Sequence, residues 1–216
     1  MEKFDFNTIE DFDNHINKSV PNYDFLIQAI KSISDYFVTD DGAIYDVGCS
    51  TGKLLKELPY KCPKIGYDNS NLLPKNTGIS QSNNLRFSNI DLTDNPSFLN
   101  AQIIYSIFTM QFINPSKRFK LLKDIYNGLH NGGVFILAEK IYQDNGKLQE
   151  VLTFSHYDYK AQNFSSEEIF KKERDLRLIM KPKTLEENYI DLQILGYRHI
   201  STFYQAFNFV GIIAIK

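Results

Sequence analysis

The stretch Ile44-Tyr45-Asp46-Val47-Gly48-Cys49-Ser50-Thr51-Gly52-Lys53-Leu54-Leu55 decides how this chain reads. It is a short apolar strand, a glycine-containing turn and the start of a helix. A second strand, Lys64-Ile65-Gly66-Tyr67, follows and ends at Asp68. A unit of strand, glycine turn, helix, strand and acid is how a nucleotide is held at the edge of a parallel sheet. The glycines let the backbone approach the ligand, and the acid accepts hydrogen bonds from a ribose diol. The unit predicts an adenosine-containing ligand.

The turn also narrows which ligand. It is not Gly-x-Gly-x-x-Gly, so it lacks the pyrophosphate pattern of dinucleotide sites. Lys53 invites a phosphate-loop reading, but the glycine spacing is one residue short. Leu54 also stands where a magnesium-binding Ser or Thr is needed. A turn with few amides aimed at phosphate suits a ligand without phosphates, such as S-adenosylmethionine (SAM). A plain strand-to-helix connection is the competing reading. Asp46, Asp68 and Asp91, all at strand ends, argue against it.

Outward from this unit, residues 8–38 carry Ile9, Phe12 and Ile16, then Phe25, Leu26, Ile30, Ile33 and Phe37, at helical spacing. Pro21 separates the two helices. Strands are expected at Ala43–Val47, Lys64–Tyr67, Leu85–Asn89, Ile103–Phe108 and Val134–Glu139. Pro74 and Gly78 argue against a long helix in the Asn-rich stretch up to Asn84. A helix over Pro115–Leu129 is expected to end at the turn Asn131-Gly132-Gly133. Residues 146–195 are helical, charged and aromatic, and form no βαβ unit; they read as a cap, lid or dimerisation element. His199–Ala206 and Phe209–Ile215 are too close in sequence to be anything but an antiparallel pair.

The expected fold is α/β and Rossmann-like: a mostly parallel seven-stranded sheet closed by a C-terminal antiparallel hairpin, the class I methyltransferase arrangement. The 216 residues suit a single domain, with an N-terminal helical cap over 1–40 and a helical insert over 146–195. A net charge of −2 argues against a large nucleic-acid surface. Two cysteines make no disulfide framework, no metal site is expected, and no apolar run reaches spanning length. The polar start Met1-Glu2-Lys3-Phe4-Asp5 does not suit a signal peptide. The expectation is a cytoplasmic protein acting on a small molecule, without nucleic-acid or membrane partners.

Asp68, with Asn69 beside it, is the candidate ribose ligand. Asp91-Leu92 suits the adenine edge; capping a helix over Thr93–Leu99 is an equal reading of Asp91. Phe108-Thr109-Met110-Gln111-Phe112 ends the fourth strand, where an aromatic face favours a sulfonium. Methyl transfer relies mostly on in-line positioning in a dry pocket, so no catalytic triad is required. Among the histidines, His156, in the aromatic run with Tyr157, Asp158 and Tyr159, is the candidate for catalysis.

Several segments together resemble carboxy-S-adenosylmethionine (carboxy-SAM) synthases, a branch of the class I methyltransferase superfamily. They are Ser19-Val20-Pro21-Asn22-Tyr23, Tyr45-Asp46-Val47-Gly48-Cys49-Ser50, Asp68-Asn69-Ser70 and Phe108-Thr109-Met110-Gln111-Phe112 with Pro115-Ser116. Beyond them lie Ile125-Tyr126-Asn127-Gly128-Leu129, Gly132-Gly133, Glu139-Lys140 and Gln205-Ala206-Phe207-Asn208-Phe209. The resemblance implies cofactor contacts at Tyr23, Gly48, Cys49, Ser50, Asp68, Asn69, Asp91, Leu92 and the position of Ile107, where the family has Asn. Apart from the resemblance, the residues themselves make Tyr23, Phe108, His156 and Tyr157 the candidate catalytic groups. The family moves a carboxyl group from prephenate onto SAM for wobble-uridine modification in tRNA. It holds that carboxylate with an Arg from the neighbouring subunit of a homodimer.

An ungapped match puts Glu173 at that arginine, with Arg174 next to it, about 100° round a helix. A carboxylate facing Glu173 is expected to be repelled, unless Arg174 or Arg177 supplies the charge. The leading expectation is therefore a SAM-dependent enzyme diverged in reaction. A true carboxy-SAM synthase, an intramolecular SAM displacement releasing methylthioadenosine, and an inactive SAM-binding scaffold are the alternatives. The apolar residues Leu148, Val151, Leu152, Phe154, Tyr157, Tyr159, Phe164 and Phe170 make 146–180 the expected dimer interface.

Overall fold

The computed structural model describes residues 11–74 and 84–216. Ile9, the signal-peptide expectation at Met1–Asp5 and Gly78 fall outside the described residues. Two helices, α1 (Phe12–Ser19) and α2 (Tyr23–Ser34), precede the sheet. Pro21 and Asn22, the latter at φ +53°, turn the chain between them.

The sheet strands are β1 (Ala43–Val47), β2 (Lys64–Asp68), β3 (Leu85–Asn89), β4 (Ala101–Ile107), β5 (Leu129–Lys140), β6 (His199–Ala206) and β7 (Phe209–Ile215). Their order is β3-β2-β1-β4-β5-β7-β6. The first five run parallel, and β7 pairs antiparallel with both β5 and β6. The order reverses between β1 and β4, where open α/β sheets place their ligands.

Successive residues of the central strands bury on opposite faces. Tyr45, Ile104, Phe135 and Leu137 pack on one face with Leu121, Ile125 and Leu192. Ile44, Ile103, Tyr105, Val134 and Ile136 pack on the other with Leu26, Ile30 and Leu55. The Tyr105 hydroxyl meets Ser34 Oγ at 2.6 Å and fixes α2 on that second face.

Short α3 (Lys53–Glu57) follows the glycine turn, and α4 (Pro115–Gly128) starts on an Asn114 cap with Pro115 in its first turn. The insert comprises α5 (Gly146–Lys160), α6 (Ser166–Ile179) and α7 (Leu185–Leu195). Capping boxes Ser165/Glu168 and Thr184/Glu187 start the last two.

Three boundaries differ from expectation. Helix α4 ends at Gly128, where an added Cβ would strike Phe98, and Leu129 already pairs with Ala101. Asn131-Gly132-Gly133 is therefore an irregular stretch inside β5, with Gly132 at φ +80°, and not a helix-ending turn. Phe108 leaves β4 because its own φ is +55°. The insert is also not one cap: α7 packs against α4 and buries Leu192 in the core, so it covers the sheet. Only α5 and α6 contribute residues to the ligand cavity described next.

Candidate functional site

A cavity of about 480 Å³ opens where β1, β2, β4 and β5 end, bounded by α1, α2, α5 and α6. Its floor is the glycine turn. Gly48, Ser50 and Gly52 take φ of +81°, +50° and +71°, a left-handed run that glycine tolerates and that strains Ser50. Gly48 N and Cys49 N both donate to the Tyr67 carbonyl, at 2.7 and 3.1 Å. A Cβ on Gly48 would overlap the Thr109 side chain, so the residue keeps the turn against the end of β4.

Asp68 ties two loops together. Its Oδ2 accepts from Ser50 N at 2.8 Å and its Oδ1 from Ser70 N at 2.7 Å. Each carboxylate oxygen has a second acceptor site, so a ribose diol can still bind there. Among the described residues, Ser50 Oγ and Ser70 Oγ are buried in the lining without a hydrogen-bond partner. Orphaned hydroxyls at this place fit a polar ligand such as SAM, whose hydroxyl and amino groups would complete them.

Asp46 is buried beneath the turn. Burial first, and the neighbouring Asp68 second, raise its carboxyl to about 7. A cationic ligand stabilises its ionised form, and SAM carries both a sulfonium and an ammonium. The aromatic wall is Tyr23 and Phe108, ring centres 6.4 Å apart, with Phe209 edge-on to Phe108 at 5.8 Å. Burial, then Asp46, push the Tyr23 phenol up, so it stays a neutral donor.

Asn69, Asp91, Leu92 and Ile107 also line the cavity. Asp91 Oδ1 accepts from Thr93 N at 2.8 Å, which holds its carboxyl below the usual range. No helix follows over 93–99, so Asp91 is not a helix cap. His156 lines the cavity with its Nε2 2.8 Å from the Ser19 carbonyl, a bond that ties α5 to the end of α1. Burial lowers it to about 4, leaving it neutral at pH 7. Tyr157 is not in the lining. One step along α5 turns it away from the cavity, and it packs on Phe154 and Phe170 instead.

The other end of the cavity is cationic. Lys140 ends β5, Lys160 ends α5, and Lys172 and Glu173 sit in α6. Lys140 Nζ lies 3.5 Å from Glu173 Oε2, and Arg177 Nε lies 3.6 Å from Oε1. Lys172 Nζ meets His15 Nε2. Burial, then Lys160 and Lys140, lower Lys172 to about 7. Arg174 and Arg177, the expected substitutes for the missing cation, are exposed and line no part of the cavity. The sequence reading missed the lysines because their spacings, 140, 160 and 172, share no period. Lys140 was legible only within the family-like pair Glu139-Lys140.

Among the described residues, no cluster of His, Cys, Asp and Glu is placed to hold a metal ion, and no helix is long and apolar enough to cross a membrane.

In fold the chain is similar to human N-acetylserotonin methyltransferase in complex with SAM, with a TM-score of 0.54 and 15% identity, covering 88% of this chain and 55% of that one. Fold and site together define a SAM-dependent enzyme of the class I methyltransferase type. No protein-family model matches the chain. It is 38% identical over 217 residues to the carboxy-S-adenosyl-L-methionine synthase of Staphylococcus epidermidis, covering 97% of this chain and 94% of that one. To the synthase of Shewanella sediminis it is 34% identical over 224 residues, covering 99% and 92%. The chain belongs to the carboxy-S-adenosyl-L-methionine synthase family.

Proposed function

We propose that this chain forms carboxy-SAM from SAM and a carboxylate-bearing donor of the prephenate type. One observation carries the reading: the lysines around Glu173. Read along the sequence, Glu173 would repel a carboxylate unless Arg174 or Arg177 supplied the charge. Here Glu173 is matched by Lys140, and Lys160 and Lys172 add further positive charge in the same cavity. A buried carboxylate needs such partners to offset its desolvation.

The residues divide the work by strand. Asp68, Asn69, Asp91 and Leu92 follow β2 and β3 and would hold adenosine, with Gly48, Cys49 and Ser50 beneath it. Tyr23, Ile107 and Phe108 would flank the sulfonium and exclude water from it. SAM supplies the carbon that receives the new carboxyl group. β2 and β5 are three strand intervals apart, roughly 14 Å at ~4.8 Å each. That separation leaves the lysines to the donor and keeps them off the adenosine.

Ile107 favours a second reading, an enzyme diverged to another acceptor, because it puts an apolar side chain where the family implies an amide. The chain would act as one SAM-binding domain over 1–216, as a homodimer, in the reducing cytoplasm that its free buried cysteines suit. The deciding experiment incubates purified protein with SAM and prephenate and follows the products by mass. Carboxy-SAM supports the reading. Methylthioadenosine, a methylated acceptor or no turnover rejects it.

A further inference from the structure

We propose that Gln111 and Glu139 are positioning residues that hold Phe108 in a strained conformation, with its ring against the sulfonium of SAM. This rests on the reading that Phe108 flanks that sulfonium.

Phe108 is the first residue past β4, and its φ of +55° lies in the left-handed region. A bulky residue is strained there and persists only where its surroundings over-determine it. Three successive residues at the end of β5 supply that constraint. Phe108 N donates to the Ala138 carbonyl at 2.7 Å. Lys140 N donates to Gln111 Oε1 at 2.9 Å, and Gln111 Nε2 donates to the Phe108 carbonyl at 3.3 Å. One buried amide thus ties the Phe108 carbonyl back to β5. Between Ala138 and Lys140, Glu139 is buried and its carboxyl faces the backbone N–H groups of Gln111, Met110 and Thr109. The N–H, the carbonyl and the three peptide units after Phe108 are all held.

The clasp closes from behind. Burial raises the Glu139 carboxyl, and the buried Arg118 guanidinium, then those backbone N–H groups, pull the other way. Arg118 Nη2 also donates to the carbonyls of Ile113 at 3.1 Å and Lys181 at 2.8 Å. Lys181 N donates in turn to the Gln111 carbonyl at 2.7 Å. A buried acid and guanidinium add little net stability, so their effect in this reading is on the geometry of the turn. Phe108 itself stands edge-on to Phe209 and beside Tyr23, in the aromatic wall whose ring faces favour a cation. Gln111 lines the cavity, and Glu139 lies outside the lining and acts only through the turn. A merely structural clasp would weaken every ligand alike. A positioning clasp weakens chiefly the ligand whose charge meets the ring.

The test is calorimetry on the full chain with two probes, SAM and S-adenosylhomocysteine, which lacks the methyl group and the sulfonium charge. Phe108→Leu should narrow the ratio of the two affinities by about threefold to tenfold. Gln111→Met should narrow it to a similar extent, and Glu139→Met by about twofold or more, with Arg118 keeping its two carbonyl partners. In the Phe108→Leu background neither should narrow it further, because all three act through one ring. Further narrowing there overturns the inference, since the substituted group would then reach the charge without Phe108. A ratio unchanged by either substitution in the wild-type background, with both ligands weakened equally or not at all, overturns it too. Where one variant fails to fold, the other decides in the same cycle. If Phe108→Leu alone leaves the ratio at the wild-type value, the sulfonium does not meet that ring, and the placement of Phe108 falls together with the inference. The cycle reads binding only, so a failure to form carboxy-SAM remains a separate result.

Discussion

Glu173 Oε2 lies 3.5 Å from Lys140 Nζ and joins the middle of α6 to the end of β5. Both side chains are about one-eighth exposed, at 12% each, so the pair is largely withdrawn from water. Such a pair contributes little net stability, because desolvation offsets most of the attraction. Its consequence is for charge. The acid that stands where the family resemblance implies an arginine is neutralised in place, and Lys160 and Lys172 line the same end of the cavity.

Asp68 holds two loops together, and in the proposed reading it also accepts from the ribose. Replacing it by alanine removes the acceptor for a ribose diol and frees Ser50 N and Ser70 N. SAM binding should weaken by about 1.5–3 kcal/mol, the range for hydrogen bonds to a charged group. Calorimetry checks this, and an unaltered dissociation constant would remove Asp68 from the ribose site.

Asp46 should make SAM binding pH-dependent. Its carboxyl is raised to about 7 by burial and Asp68, so in the free protein it takes up a proton as the pH falls through that value. A cationic ligand prefers the carboxylate. Affinity should therefore be full above pH 7 and fall below it, approaching about tenfold per unit. Asp46→Asn should give a flatter profile between about pH 5 and 7, below the range where SAM's own α-amino group titrates. Parallel profiles for the two proteins would exclude Asp46 as the titrating group.

The same group affects folding in the opposite direction. Between its ordinary value near 4 and its folded value of about 7, the native state holds the proton that the unfolded chain has lost. Asp46 thus destabilises the wild type increasingly as pH rises through that window. Denaturant unfolding should show Asp46→Asn gaining stability over wild type from pH 4 to pH 7. A constant difference across the window would contradict the assignment.

Much of the sheet is legible in the sequence because its strands are short apolar runs between turn residues. Ala43–Val47 and Leu85–Asn89 match their expected limits. The hairpin follows from two apolar runs with only Phe207 and Asn208 between them. Helix α7 reads like its neighbours because its apolar residues are spread round the helix and not gathered on one face, although Leu185, Tyr189, Leu192 and Leu195 pack on the core. The floor and the acids of the cavity are local to strand ends, so a linear reading reaches them. The lysines are not. They converge only after α5 and α6 fold back over β5, a tertiary event that leaves no spacing in the chain. Tyr157 failed for a related reason: adjacency to His156 in sequence becomes a different face on a helix.

The outer faces of α5 and α6 leave Leu148, Val151, Phe154, Phe170 and Leu178 between 45% and 63% exposed. Apolar side chains grouped this way mark an interaction surface. A homodimer through this face should appear by light scattering at micromolar concentration, and Phe154→Glu should convert it to monomer. Because Phe154 does not line the cavity, SAM affinity should survive the substitution. A wild-type monomer with full activity would end the dimer reading.

Glu173→Gln isolates the electrostatic logic of the site. The substitution keeps the side chain's shape and removes the carboxylate that pairs with Lys140. Lys140 loses a partner 3.5 Å away, and this end of the cavity loses one negative charge. If the lysines hold a dicarboxylate donor, its KM should fall by about threefold to tenfold, up to about 1.4 kcal/mol. The effect should shrink with added salt, though less than for an exposed pair, because the side chains are largely buried. SAM affinity should change little, since the adenosine end lies across β1 and β4 from Glu173. A rise in KM would mean instead that Glu173 chiefly holds Lys140 in position. An unchanged KM, with SAM binding intact, would show that the donor does not meet this end of the cavity, and the carboxylate would have to be recognised elsewhere.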